Sequence, residues 1–233
     1  MEQELLPRLN KEFKDKTLEE SFKALFKLNF GVHAFSTSFG KEDQVITDFI
    51  FRNNYAIDVF TLDTGRLFEE TYEVYHKTFK KYNKTITTYF PDQGKVESLV
   101  SKKGPYSFYD SVDNRKECCG IRKIDPLQKA LKDVNVWITG VRADQSIHRN
   151  NFDLFQYDTS FGILKFNPLI NWPIEMVEAY LDKYKVPQNI LHKKNYPSIG
   201  CSPCTRSVSE GEDLRSGRWW WEQSNKECGL HQA

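Results

Sequence analysis

The feature that most constrains how this chain can fold occurs three times: a short apolar run ending in a polar turn that contains glycine. The runs are VHAFSTSFG over residues 32–40, IDVFTLDTG over 57–65 and VNVWITG over 134–140. Apolar runs of this length, bounded by turn residues, read as buried strands. The first is followed by KEDQVITDFI and the second by residues 67–79, both with helical spacing. TITTY over 85–89 adds a β-branched strand that ends before Pro91. DLFQYD from residue 153 alternates like a half-exposed strand, GILKFNPLINW holds another before Pro168, and residues 172–184 read as a helix. Near the start, Leu18, Phe22, Leu25, Phe26 and Leu28 share one helical face. Strands alternating with helices predict an α/β fold, a largely parallel twisted sheet with helices on both faces. Residues 91–117 carry Gly94, Gly104 and Pro105 and are expected to form turns with one short helix.

In such sheets ligands gather where strands end. Ser36, Ser38 and Gly40 lie in the first of these turns, with Asp43 at the start of the next helix. Backbone N–H groups and hydroxyls there can cradle a phosphate, although an ordinary strand-to-helix turn has the same composition. Asp63, Thr64 and Gly65 end the second strand. Arg142, Asp144, Gln145 and Arg149 follow the third, where an arginine fork suits phosphate or sulfate oxygens.

A length of 233 residues accommodates one large α/β domain with a tail. Lys and Arg total 33 against 32 Asp and Glu, a net charge of +1, so there is no general surface for nucleic acid. The sequence has no long apolar span and no basic start leading into an apolar run, so neither a membrane helix nor a secretory signal is expected, and a cytoplasmic location is. An odd count of five cysteines in a reducing compartment favours a metal site over a disulfide framework.

Cys201 and Cys204 form a C-x-x-C pair, and Cys118 and Cys119 are adjacent. Neighbouring side chains diverge by about 100° on a regular helix. Two adjacent cysteines can therefore share one centre only through a distortion, or through a cluster large enough to be met at two corners. An iron-sulfur cube meets that condition better than one zinc ion, and thiolate chemistry leaves [4Fe-4S], zinc and no metal all open. Lys123 could set a cation between a cluster and an anionic ligand, or be a solvated helix lysine. Cys228 is left over, as a reactive thiolate or a buried thiol, and Lys226, Glu227 and Gly229 beside it argue against deep burial. Arg206, Arg215 and Arg218 are candidates for a basic wall. Trp219, Trp220 and Trp221 could form a lid, a stacking platform or core, and His231 is either a proton donor or phosphate partner, or a bystander near the terminus.

Taken together, STSFGKED at 36–43, LDTGR at 62–66, CCGIRKIDPL at 118–127, TGVRADQS at 139–146, YPSIGCSPCTR at 196–206, GEDLRSGRWWW at 211–221 and KECGLH at 226–231 closely resemble the sulfonucleotide reductases, specifically the iron-sulfur-containing adenylylsulfate (APS) reductases. The resemblance implies an adenine-nucleotide-hydrolase-like fold related to the PP-loop pyrophosphatases, with a mobile C-terminal tail carrying the nucleophile. It divides the chain into a nucleotide-binding reductase domain over 1–206 and a catalytic tail over 207–233. It further implies that Cys118, Cys119, Cys201 and Cys204 ligate [4Fe-4S], with Lys123 between cluster and substrate. Ser36, Ser38, Gly40 and Asp43 would form a modified phosphate loop, and Asp63, Thr64 and Gly65 would border the nucleotide. Arg142, Arg215 and Arg218 would hold the phosphosulfate, with Cys228 attacking its sulfur. The implied reductant is thioredoxin or glutaredoxin, and the family commonly forms homodimers or homotetramers. Phe39 and Lys41 interrupt the SGGxDS form used for ATP, so ATP cleavage is not expected.

Reduction of 3′-phosphoadenylylsulfate (PAPS), alone or beside APS, is the nearest alternative, and the two cysteine pairs favour APS. An ATP-using tRNA thiolation enzyme would need an intact PP-loop and a broad basic RNA surface. A noncatalytic metal-stabilised binding protein would account for four cysteines but leave Cys228 and the arginines unexplained.

Overall fold

The computed structural model describes residues 2–146, 149 and 151–222. Helices α1 (Glu2–Phe13) and α2 (Leu18–Lys27) come first. The Thr17 hydroxyl accepts the Glu20 N–H while the Glu20 carboxylate accepts the Thr17 N–H, a reciprocal cap that starts α2. Six strands follow: β1 (His33–Ser36), β2 (Asp58–Leu62), β3 (Thr87–Tyr89), β4 (Val136–Ile138), β5 (Phe155–Asp158) and β6 (Ile163–Phe166). They form one sheet in the order β3-β2-β1-β4-β6-β5, parallel except for β5 against β6. Between and after them run α3 (Lys41–Arg52), α4 (Glu69–Tyr82), α5 (Gln93–Lys103), α6 (Val112–Cys119), α7 (Asp125–Ala130) and α8 (Ile174–Lys183).

The pleat sends alternate residues to two cores, as the sequence predicts. Phe35, Val59, Val136, Ile138 and Phe166 pack with Phe22 of α2, Val45 and Phe49 of α3 and Leu181 of α8. Ala34, Phe60, Trp137 and Ile163 face the other way, against Leu127 of α7 and Leu131 just beyond it. Each fully buried side chain of this size contributes about 1.5–3 kcal/mol. On that second face Lys165 and Asp158 form a 2.8 Å ion pair, 2% and 3% exposed, with the ammonium 4.9 Å from the Trp137 ring centre. Such a pair tolerates burial because each charge has a partner.

Two stretches differ from expectation. Residues 91–117 hold more helix than one short piece, because side chains cap both starts. Asp92 accepts the Lys95 N–H at 2.9 Å to open α5, and Ser111 accepts the Asn114 N–H at 3.1 Å to open α6. Gly104 and Pro105 fall in the gap between them. The stretch from Cys118, which the spacing of Ile121, Ile124, Leu127 and Leu131 reads as a helix, is not one regular helix: α6 ends at Cys119, a π-helical turn spans Gly120–Ile124, and α7 begins at Asp125.

The topology fixes where a ligand site can form. From β1 the chain builds outward to β2 and β3 on one side, and β4 opens the other side. Loops after β1 and β4 therefore diverge and leave a crevice at the strand ends. Residues 207–222 pack onto this body. Thr205 bridges to Arg218, the Arg206 N–H donates to the Gly217 carbonyl at 2.9 Å, and the Val208 N–H to the Asn195 carbonyl at 2.8 Å.

Candidate active site

The loop after β1 is held by its own residues. Ser38 donates from its N–H and its hydroxyl to one Asp43 oxygen, both at 2.6 Å. No side chain caps α3 at Gly40, so the backbone N–H groups of its first turn stay available to an anion. Desolvation pushes the Asp43 carboxyl up to about 6, against the Ser38 hydrogen bonds that pull it down. Gly140, after β4, packs directly on Asp43. A Cβ there would overlap the Asp43 carboxylate, so only glycine lets the two loops approach this closely. Ser36 points elsewhere, its hydroxyl accepting the Trp137 indole N–H at 2.9 Å.

At the end of β2, Asp63 accepts the Gly65 N–H at 2.8 Å and the Tyr72 hydroxyl at 2.9 Å. Burial, then Asp63, pushes the Tyr72 phenol up to about 12, so it stays a donor. Thr64 turns toward the cysteines: its hydroxyl lies 3.3 Å from Cys201 Sγ, and its carbonyl accepts Arg122 Nη1 at 2.6 Å. The Ser202 N–H donates to the Arg66 carbonyl at 2.8 Å, clamping the C-x-x-C loop to the same segment. Arg142 is 3% exposed. Its Nε donates to Glu42 at 2.8 Å and its Nη1 to the Trp172 carbonyl at 3.0 Å, so it ties the β4 loop to the start of α3.

Cys118, Cys119, Cys201 and Cys204 line one pocket together with Arg66, Phe108, Arg115, Arg122 and Lys123. Both cysteines close α6 in regular helical backbone, and the π-helical turn begins directly after Cys119, so a centre shared by the two has to be large enough to be met at two corners. Among the described residues no three His, Cys, Asp or Glu side chains converge closely enough to hold a single metal ion. Four thiols around one pocket instead suit a larger, sulfur-rich group. Burial pushes the Cys204 thiol up to about 12, reinforced by Cys201 and Cys119 and opposed by Lys123 and Arg218. Burial likewise raises Cys118, against Arg122 and Arg66. Five buried donors in this region have no hydrogen-bond partner: Arg66 Nη1, Arg122 Nε, Arg218 Nε and the indole N–H groups of Trp219 and Trp221. Buried N–H groups left without acceptors are costly. A cluster with thiolate and sulfide acceptors fits this donor set, because hydrogen bonds to its sulfurs are a normal part of such sites.

The arginines of the following segment meet at one hydroxyl. Nη1 of Arg215 and Nη1 of Arg218 lie 3.5 and 3.4 Å from Ser198 Oγ. Arg218 presses on Gly200, where a Cβ would collide with its guanidinium. Arg206 faces away and pairs with Glu212 at 2.7 Å. Trp219 is 1% exposed and Trp221 half-buried, while Trp220 is 38% exposed. The structure therefore brings the four cysteines, Lys123, Thr64 and Arg218 into one region, and the Ser38–Asp43 loop with Gly140 into another at the strand ends. Cys228 and His231 lie outside the described residues.

Several residues of this site were not singled out from sequence: Arg66, Arg115, Arg122, Tyr109, Ser198 and Glu222. Arg66 and Arg122 stand inside the LDTGR and CCGIRK motifs, and Ser198 inside YPSIGC. Arg115 precedes Cys118 and Cys119 by three and four residues, the spacing that puts helical side chains on one face.

An α/β fold of this kind is shared with FMN adenylyltransferase from Candida glabrata, at a TM-score of 0.55 and 16% identity over 97% of this chain and 76% of that one. The phosphoadenylyl-sulfate reductase of Candida auris is more similar, with a TM-score of 0.74 and 29% identity over 87% of this chain and 95% of the other. In sequence, the adenosine 5′-phosphosulfate reductase of Allochromatium vinosum is 46% identical over 198 residues, covering 84% of this chain and 77% of that protein. Residues 32–207 match the phosphoadenosine phosphosulfate reductase domain, and the chain belongs to that family of oxidoreductases.

Proposed function

We propose that this protein reduces adenylylsulfate to sulfite and AMP in sulfate assimilation, with Cys228 as nucleophile and a thioredoxin-like dithiol as reductant. The observation that carries the reading is the convergence of four cysteines, three of them buried, with their cationic rim and the Arg215–Arg218 pair at Ser198. Cys118, Cys119, Cys201 and Cys204 would hold a [4Fe-4S] cluster. When bound, it supplies a fixed electrostatic field beside the substrate and no electrons to the reaction.

The chain's own residues do the rest. The Ser38–Gly40 loop and the uncapped start of α3 receive the 5′-phosphate, with Asp43, Asp63, Thr64 and Gly65 shaping the nucleotide crevice. Arg142 contributes by fixing Glu42 and the β4 loop. Arg215 and Arg218 present guanidinium forks to the phosphosulfate, and Lys123 adds a positive charge between the cysteine pocket and the sulfate. The Cys228 thiolate attacks the sulfate sulfur, forming an S–S bond as the sulfur–oxygen bond to phosphate breaks. The electron pair of that bond stays on the AMP phosphate, whose growing charge the arginines and backbone N–H groups stabilise. His231 assists as a proton donor or phosphate partner. One thiolate of the external dithiol then attacks Cys228 Sγ, and sulfite leaves with the pair of the S–S bond. The second thiol resolves the mixed disulfide, returning Cys228 as thiolate and leaving the reductant oxidised by two electrons. Residues 207–233 act as the catalytic tail, with 207–222 as its docked stem.

Sulfite release from adenylylsulfate with a dithiol donor tests the reading. The parent protein should turn over, and Cys228→Ser should fall to background with nucleotide affinity kept. Turnover by Cys228→Ser would overturn the nucleophile. A parent that turns over only the 3′-phosphorylated nucleotide would move the substrate to PAPS.

A further inference from the structure

The buried ion pair between Arg115 and Glu222 has no part in the chemistry above. Nε and Nη2 of Arg115 donate to Oε1 and Oε2 of Glu222, both at 2.9 Å, and the side chains are 5% and 4% exposed. Arg115 belongs to α6, on the face that carries Cys118 and Cys119, lines their pocket, and makes a further contact with Cys119. Glu222 stands six residues before Cys228 in the sequence. One fork thus joins the cysteine helix to the point where the stem hands over to the nucleophile's segment.

The turn between Arg218 and Glu222 is held under strain. Trp219 has φ 42, the left-handed region, which a bulky aromatic residue rarely occupies. Strained backbone of this kind persists only when its surroundings over-determine it. Here the Trp219 ring is buried with the Arg115 and Arg218 guanidiniums each 4.8 Å from its centre. The Trp219 backbone N–H donates to the Cys204 carbonyl at 3.2 Å, and the Glu222 backbone N–H to the Trp219 carbonyl at 2.9 Å. The same strained turn presents Arg218 to Ser198.

We propose that the Arg115–Glu222 pair is a positioning latch: it locks the Trp219 turn and roots the catalytic tail on the cysteine-bearing helix, so that Cys228 starts from a fixed point beside the site. The inference rests on Cys228 being the nucleophile. Cys228 follows Glu222 by six residues, and six residues span at most about 20–22 Å when extended, so the root bounds how far from α6 Cys228 can act. Losing the latch and retreating to Trp219 as the next anchor lengthens the tether from six residues to nine. Tether length alone then lowers the effective concentration by only about twofold. Loss of orientation costs far more, since a misplacement of about 1 Å can cost about 100-fold in rate.

The test is Glu222→Gln in the anaerobically purified full chain, which keeps the shape and removes the charge. Three quantities are read: AMP affinity and iron content, the single-turnover rate of adduct formation on Cys228, and hydrogen exchange at the Trp219–Glu222 amides. The latch predicts unchanged affinity and iron, a rate at least tenfold lower, and faster exchange confined to that turn. Glu222→Asp, which keeps the charge, should recover part of the rate and protection, and it carries the test if the glutamine variant does not fold. A rate within twofold of the parent, or a loss of iron or AMP affinity parallel to the rate, would overturn the proposal. Cys228→Ser in the otherwise unchanged chain tests the nucleophile separately, because sulfite release there would sink that assignment whatever Glu222 does.

Discussion

Thr64 Oγ1 and Cys201 Sγ lie 3.3 Å apart, joining the end of β2 to the cysteine pocket through residues 137 positions apart. The contact makes the turn at the end of β2 part of the cysteine site. Thr64→Val keeps the branched shape and deletes the hydroxyl. A hydrogen bond of this kind is worth about 1 kcal/mol net, roughly a fivefold change in an equilibrium. Iron should be lost to a chelator about fivefold faster, with AMP affinity nearly unchanged; iron content and chelation rate check this.

Gly140, after β4, packs directly on Asp43 in the first turn of α3. In Gly140→Ala the new Cβ must displace the Asp43 carboxylate and, with it, the Ser38 hydrogen bonds. Overpacking of this kind costs about 1–3 kcal/mol. The variant should bind AMP at least tenfold more weakly while keeping its full complement of iron, as calorimetry and iron analysis would show.

Asp43 also sets a pH dependence. Desolvation raises its carboxyl from 3.8 to about 6, so between those values the folded protein holds a proton that the unfolded chain has released. The stabilisation is fully present below about 3.8 and is lost as pH rises through about 6. Asp43→Asn removes this titration. Its melting temperature relative to the parent should rise steadily between pH 4 and pH 7, and a constant difference across that range would contradict the assignment.

Arg218 is held against Gly200 and the Trp219 ring with its fork toward Ser198. Lysine cannot reproduce that planar pair of donors. Arg218→Lys should lower kcat/KM by about 100- to 1,000-fold, the range seen when one transition-state donor is removed. Single-turnover kinetics should place the loss in the sulfur-transfer step.

The parallel sheet was legible because its strands are short apolar runs that stop at glycine-containing turns, and both covered faces follow from the alternation within them. The turn after β1 was legible for the same reason: Ser38, Gly40 and Asp43 are local in sequence, and Ser38 meets Asp43 across only five residues. The caps Asp92 and Ser111 were missed, so the two helices they open read as turns with one short helix. Arg115 and Glu222 could not be paired from sequence, since nothing local marks a contact across 107 positions. The π-helical turn after Cys119 has no sequence signature, and because both cysteines precede it in regular helix, the divergence between adjacent side chains that the sequence raises still stands.

The most direct measurement of the central claim is the intact mass of the reduced, anaerobically purified protein after exposure to adenylylsulfate and, separately, to its 3′-phosphorylated form. No dithiol is added, and peptide mapping locates any adduct. A single sulfonate on Cys228 from adenylylsulfate, with AMP released in equal amount, is the predicted result. Equal labelling by both nucleotides would make the enzyme dual-specific, and no adduct from either, in protein with its full iron content, would contradict the covalent mechanism.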